Sequence, residues 1–303
     1  MYFELVRPNC AGIDLGSRNH YVAPPSNSAD PSVRMFGCFT RDLIEMGVWL
    51  LSLGTEDVAM EATGVYWIPV YEALSSLGLK VALIDGRAAK ALPGRKTDVQ
   101  DCQWIRELHA YGLVKPCMVP EGKVLALRSY WRQRQRLVAQ RAEQIQLMQK
   151  ALEQMNIQLH KVLTDICGVS GQAILRAIVA GERDPKVLAE LVQKSVKAKR
   201  SEICKALEGS WAEHHVFALS QALATFDFYG QSILECDARI DAAIAALSGG
   251  EPAGPKPGTP RKNQLSVKAT DGLIASLGVD PTQIDGIQES TAITLLSEFG
   301  TDL

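Results

Sequence analysis

Two hydrophobic periods alternate along the first part of the chain. Short apolar runs bounded by turn residues read as strands: CAGIDLG from Cys10, HYVAPP from His20, VRMFGCF from Val33, DVAMEAT from Asp57 and KVALID from Lys80. Between them the period lengthens. Thr40 is placed to cap a helix reaching roughly Leu53, VYWIPVYEALSSLG from Val65 forms a second, and a third begins at Thr97. Strands first, then strands alternating with helices, predict an α/β domain whose mixed sheet carries helices on its faces.

Beyond residue 119 the pattern becomes wholly helical. Leu127, Trp131, Val138, Ile145, Met148, Leu152, Met155, Leu159 and Val162 fall on one seam of three-four spacing, interrupted by Arg134 and Arg141. A seam that long predicts a coiled-coil helix. A second long stretch, roughly 213–247, carries Phe217, Leu219, Leu223, Phe226, Ile233, Ile240 and Ile244, with shorter helices in CGVSGQAILRAIVAGERDPKVLAELV between the two. An antiparallel pair of long helices with a small helical cap is the simplest arrangement. In residues 249–260, eight of twelve positions are Gly or Pro, which reads as a linker. PTQIDGIQESTAITLLSEFGTDL then opens another helical unit, too short for a core of its own. The expected organisation is an α/β domain over 1–118, a helical coiled-coil domain over 119–248, a linker over 249–270 and the start of a further domain over 271–303.

Composition narrows the class. Apolar residues make up 47% and charged residues 22%, as a globular protein with a sizeable core requires. No apolar run approaches the roughly 20 residues of a membrane span, and the N-terminus lacks the basic-then-apolar pattern of a signal peptide. The seven cysteines are scattered singly and the five histidines show no zinc spacing, so a reduced, cytoplasmic protein is expected. The net charge of −2 hides a local asymmetry. Residues 115–150 hold eight Lys or Arg against Glu121 and Glu143 alone, an excess of six positive charges.

The chemistry concentrates in four acids. Asp98 and Asp101 follow Arg95 and Lys96 in GRKTDVQDCQWI, one turn apart near the start of a helix. Asp in a first turn offsets the helix dipole, which accounts well for Asp98 and less well for Asp101. Asp14 stands at or near the end of the strand CAGID, and Glu61 in the same kind of place after DVAM. Taken singly, Asp14 could begin a turn and Glu61 could cap the next helix. If their strands are adjacent, however, the two converge at the sheet edge where open α/β folds bind ligands, and the Asp98 helix can close the set. Four carboxylates without imidazole or thiolate suit Mg²⁺ or Mn²⁺ and hence phosphoryl transfer. Arg87, Lys90, Arg95 and Lys96 on the preceding loop suit a phosphate backbone.

AGIDLGSRNHYVA, MEATGVYWIPVYEAL and GRKTDVQDCQWI, in that order, resemble the N-terminal domain of insertion-sequence transposases of the IS-one-ten (IS110) family, closest to the IS-eleven-eleven branch. These are DEDD transposases on a ribonuclease H-like (RuvC-like) fold. The resemblance places the Asp, Glu, Asp, Asp set on Asp14, Glu61, Asp98 and Asp101. It implies excision and insertion of a mobile element by DNA cleavage and rejoining at a Mg²⁺ site. It also implies a structured guide RNA and homo-oligomers joined through the helical region. The basic helix then becomes a nucleic-acid face, with Arg132, Arg134 and Arg136 as candidates, although they alternate around the helix and cannot all face one ligand. Its bland alternative is a solvated flank. The family also uses a serine nucleophile from a second domain. No serine before residue 303 matches it, and DGIQ lacks the second glycine of the helix-hairpin-helix turn it resembles. The expectation is a chain that carries the metal-binding half of a composite site. Two rivals stay open. One is an ATP-using enzyme of the actin and sugar-kinase class, which also begins with a strand like GIDLGSRN but needs a second Gly-rich phosphate loop. The other is a non-catalytic nucleic-acid-binding or oligomerising role.

Overall fold

The computed structural model describes residues 5–86, 98–120, 122–257 and 263–301. The chain divides into two compact units, 1–119 and 120–303.

The first unit is built on five strands, β1 (Cys10–Leu15), β2 (Asn19–Ala23), β3 (Arg34–Gly37), β4 (Asp57–Glu61) and β5 (Lys80–Ile84). Their order across the sheet is β3-β2-β1-β4-β5. The first three pair antiparallel through short connections, whereas β4 and β5 join parallel to β1. This mixed α/β sheet fits the ribonuclease H-like arrangement. β1 is central and covered on both faces, which is why CAGIDL lacks the polar alternation of an edge strand. Helices α1 (Thr40–Ser52) and α2 (Trp67–Ser76) cover one face, where Met46, Leu50, Val70 and Leu74 pack against Ala11, Ile13, Val58 and Met60. Helix α3 (Asp98–Ala110) covers the other with Ile105 and Leu108 on Ala59 and Ile84. Thr40 is the first residue of α1 and not its cap. The cap is Phe39, whose N–H donates to Asp42 at 3.2 Å. Thr97 lies outside the described residues.

This unit buries two histidines. His20 on β2 and His109 on α3 are 3% and 2% exposed, and their imidazoles contain ring nitrogens with no hydrogen-bond partner among the described residues. Burial pushes both below the ordinary histidine value of 6.5. Each therefore takes up a proton less readily when folded than when unfolded. The stability this confers is complete above 6.5 and is lost as the pH falls below it. We expect the melting temperature of this unit to drop between about pH 7 and about pH 5. The double variant His20→Gln/His109→Gln should flatten that slope in a thermal unfolding series.

The second unit is organised by two long helices, α4 (Gly122–Gln154) and α8 (Glu213–Ser248). They run antiparallel, with Lys123 Nζ donating to Ala246 O at 2.6 Å at one end and Gly209 tucked against Met155 at the other. The shorter helices α5 (Val169–Val179), α6 (Pro185–Glu190) and α7 (Arg200–Ala206) form the cap. Met148, Leu152, Met155, Leu219, Leu223 and Phe226 belong to the cap core. A second core lies at the opposite end, where Leu127, Trp131, Ile240 and Ile244 pack with Leu273, Ala292, Ile293 and Leu296. The last four come from α9 (Thr270–Leu277) and α10 (Glu289–Phe299), so these helices share a core with the long pair. Between the two cores α4 buries no residue from 138 to 147, and the Arg141 guanidinium instead lies 4.0 Å over the Phe226 ring.

Three details depart from the expected seam. Leu137, outside the expected seam, is buried, whereas Val138 is only half-buried, as drift from a strict heptad produces. Phe217 is 64% exposed. Arg134, expected to interrupt the seam, is inside it. The described part of the Gly/Pro stretch is also tied down: Ala253 and Gly254 N–H donate to Asp241 at 3.1 and 2.8 Å, and Lys256 N–H donates to Ser266 O at 2.6 Å. Among the described residues no helix is long and apolar enough to cross a membrane, and all seven cysteines are free.

Candidate active site

Strand alternation determines which face the site occupies. On β1, Ala11, Ile13 and Leu15 point to the α1/α2 side, so Cys10, Gly12 and Asp14 point to α3. On β4, Val58 and Met60 take the first side and leave Ala59 and Glu61 on the second. The two strands are parallel with Ile13 opposite Met60, so the next step of the register brings Asp14 beside Glu61. Both are half-buried. The expected adjacency of their strands is therefore present.

Helix α3 reaches this edge because Gly12 lets it. A Cβ on Gly12 would lie 2.9 Å from Arg106 Cα and closer still to Cys102 O and Arg106 N, all backbone atoms of α3. Cys10 Sγ adds a 3.6 Å contact to Arg106 O. Further along, the N–H groups of Val6 and Arg7 donate to Ala110 O at 2.8 and 3.0 Å. The C-terminal end of α3 thus lies near the start of β1 and its N-terminal end near Asp14. Asp98 precedes the buried Cys102 by four residues, and Asp101 precedes the buried Ile105 by four. Helical spacing therefore extends the sheet-facing stripe through both acids toward the Asp14 edge. Asp98 is exposed there and Asp101 half-buried. Glu61 is seated against Gly86, where a Cβ would collide with its carboxylate.

Asp14 and Glu61 share one edge of the sheet and the first turns of α3 extend toward it, without drawing the four acids into a tight cluster. Among the described residues no group of three or more His, Cys, Asp or Glu stands close enough to hold a metal ion. Their donor chemistry nevertheless fits a hard divalent cation. Cys102 is the nearby thiol, and burial, reinforced by the charge of Asp14, pushes it up to about 12. It stays protonated at neutral pH and offers no thiolate, so the donors left are carboxylate oxygens. Cys10 is likewise pushed up to about 11 by burial.

The cationic candidates fare differently. Arg87, Lys90, Arg95 and Lys96 lie outside the described residues. In the second unit, Arg134 is corrected: it is 3% exposed and paired with Asp237, which is 1% exposed. It also donates to Asn263 O and Gln264 O at 3.3 and 3.0 Å. A guanidinium so enclosed cannot reach a phosphate. Arg132 is exposed but makes a bidentate pair with Glu298, both bonds 2.8 Å, and Arg136 donates to Gln133 Oε1 at 2.6 Å. Sequence reasoning passed over Gly12, Gly86 and Cys102. Gly12 had a signal, since a glycine inside a strand often marks close approach by another backbone.

Residues 11–157 match the model of a transposase family, the DEDD transposases of IS110 type. The matched stretch contains all four acids. No curated protein matches the chain.

Proposed function

We infer from the match of residues 11–157 to the IS110 DEDD transposase family that the chain supplies the metal-binding half of a composite site at which DNA strands of a mobile element are cleaved and rejoined. The supporting observation is the parallel β1–β4 register that sets Asp14 beside Glu61, with the helix that carries Asp98 and Asp101 held against β1 at Gly12. In this reading Asp14, Glu61, Asp98 and Asp101 hold Mg²⁺, or Mn²⁺ in its place. When bound, the ion supplies Lewis acidity to a phosphodiester and neutralises charge that develops on its oxygens.

The protein's own part is placement. Asp14 and Glu61 ride on central strands whose positions are fixed by pairing on both sides. Asp98 and Asp101 ride on the first turns of a helix, where the dipole favours negative charge. Together they would orient the scissile phosphate through shared ions and exclude alternative geometries. DNA at the element ends and target is the substrate, a structured RNA the guide, and a second copy of the chain the partner joined through the long helices. Arg87, Lys90, Arg95 and Lys96, which precede Asp98 in the sequence, would line the phosphate path.

Calorimetric titration of Mn²⁺ into the chain tests this. The intact protein should bind, and Asp98→Asn/Asp101→Asn and Glu61→Gln should each weaken binding by about tenfold or more with the fold retained. No binding by any of the three proteins, all folded, would sink the metal reading and favour a non-catalytic nucleic-acid-binding role.

A further inference from the structure

The cap of the helical unit carries charge that the site above does not use. Residues 193–200, QKSVKAKR, hold four cations in eight positions and no acid. All four are exposed. Arg200 pairs with Glu190 at 3.3 Å, whereas Lys194, Lys197 and Lys199 have no ion-pair partner among the described residues.

This segment is an anchored loop and not a floating tail. Val192 is buried, Val196 and Ala198 pack on the cap core, and Gln193 N–H donates to the Oγ of buried Ser170 at 3.0 Å. Anchoring the apolar positions turns the three lysines outward as a set. Beside them opens a cavity of about 450 Å³, lined by Thr164, Ser170, Ser195 and Lys197 among others. Asp165 is the acid on that wall, and its carboxylate accepts from Cys167 N–H at 2.9 Å.

Three like charges held within six residues repel one another, and a fixed loop cannot relax the repulsion by spreading. A polyanion does relieve it. The cations are strung along the loop and do not converge on a point, which suits successive phosphates better than a single small anion. We propose that the 193–200 loop is a contact surface for the phosphate backbone of a nucleic acid, separate from the four-acid edge. Lys Nζ groups and the Ser195 and Thr164 hydroxyls are the donors phosphate oxygens accept from.

The test uses the full chain and short labelled single-stranded RNA, single-stranded DNA and duplex DNA, titrated over a range of salt. The variant is Lys194→Glu/Lys197→Glu/Lys199→Glu, and the control places the same charge change elsewhere, at the exposed Lys186, Arg239 and Lys268. We expect the loop variant to lose about tenfold or more in affinity, and its logarithmic salt slope to shrink by about two to three. Loss with RNA alone assigns the surface to RNA, loss with DNA alone to DNA, and loss with all three to phosphates irrespective of sugar. Equal losses in variant and control, no loss in either, or no binding by the unaltered chain would overturn the proposal. Circular dichroism on both variants checks that the cap remains folded.

Discussion

Replacing Gly12 with alanine is expected to destabilise the α/β unit by about 3 kcal/mol and lower its melting temperature by about 10 °C. The reason is geometric. The new methyl meets the backbone of Cys102 and Arg106, and backbone inside a helix cannot swing aside as a side-chain tip can. Relief requires α3 to lift from β1, which would strip Ile105 and Leu108 from Ala59 and Ile84. It would also carry Asp98 and Asp101 away from Asp14 and Glu61. Thermal unfolding reads the first effect and Mn²⁺ titration of whatever stays folded reads the second. An unchanged melting temperature would mean that α3 can slide without cost, and the account of how the acids are brought to one edge would fail with it.

The other large effect is expected at Arg134. Substituting methionine leaves Asp237 buried with, among the described residues, the Ser266 N–H and Oγ, each at 2.8 Å, to hold its charge. Breaking a buried pair from one side typically costs about 3–5 kcal/mol. Here the loss should also release the 263–266 segment, because Arg134 and Asp237 hold it from both sides. Urea unfolding of Arg134→Met should give that range, and the double variant Arg134→Met/Asp237→Leu should be more stable than the single one. If the double variant instead costs the sum of the two single changes, the groups do not interact.

Much of the first unit was legible in the pattern of residues. Strands such as CAGIDL and DVAME announce themselves by apolar runs between turn residues, and Asp14 and Glu61 could be placed at strand ends because each breaks its run. What the pattern could not supply was distance. That α3 lies close enough to bring its acids to the sheet edge depends on the missing side chain at Gly12, and a single glycine in GIDLG admits several explanations. The helical unit was harder to read for a different reason. An arginine on an apolar seam looks like an interruption or a ligand contact, and nothing local to Arg134 points to Asp237 more than a hundred positions away. Helical geometry did carry a warning. Residues two apart are turned by about 200°, so Arg134 had to face away from Arg132 and Arg136.

The two long helices of the second unit share an apolar core at each end, and the Arg141 guanidinium lies over Phe226 at the margin of the cap core. In mechanical terms this is a beam clamped at its ends and compliant at mid-span. Burial holds the Arg141 guanidinium below its ordinary value, and its Nε has no acceptor among the described residues. Along α4 the stretch from 138 to 147 adds no fully buried side chain that would hold it straight. Flexure imposed on the cap by a bound partner is expected to concentrate in residues 138–147 of α4, away from the opposite core and its buried ion pair.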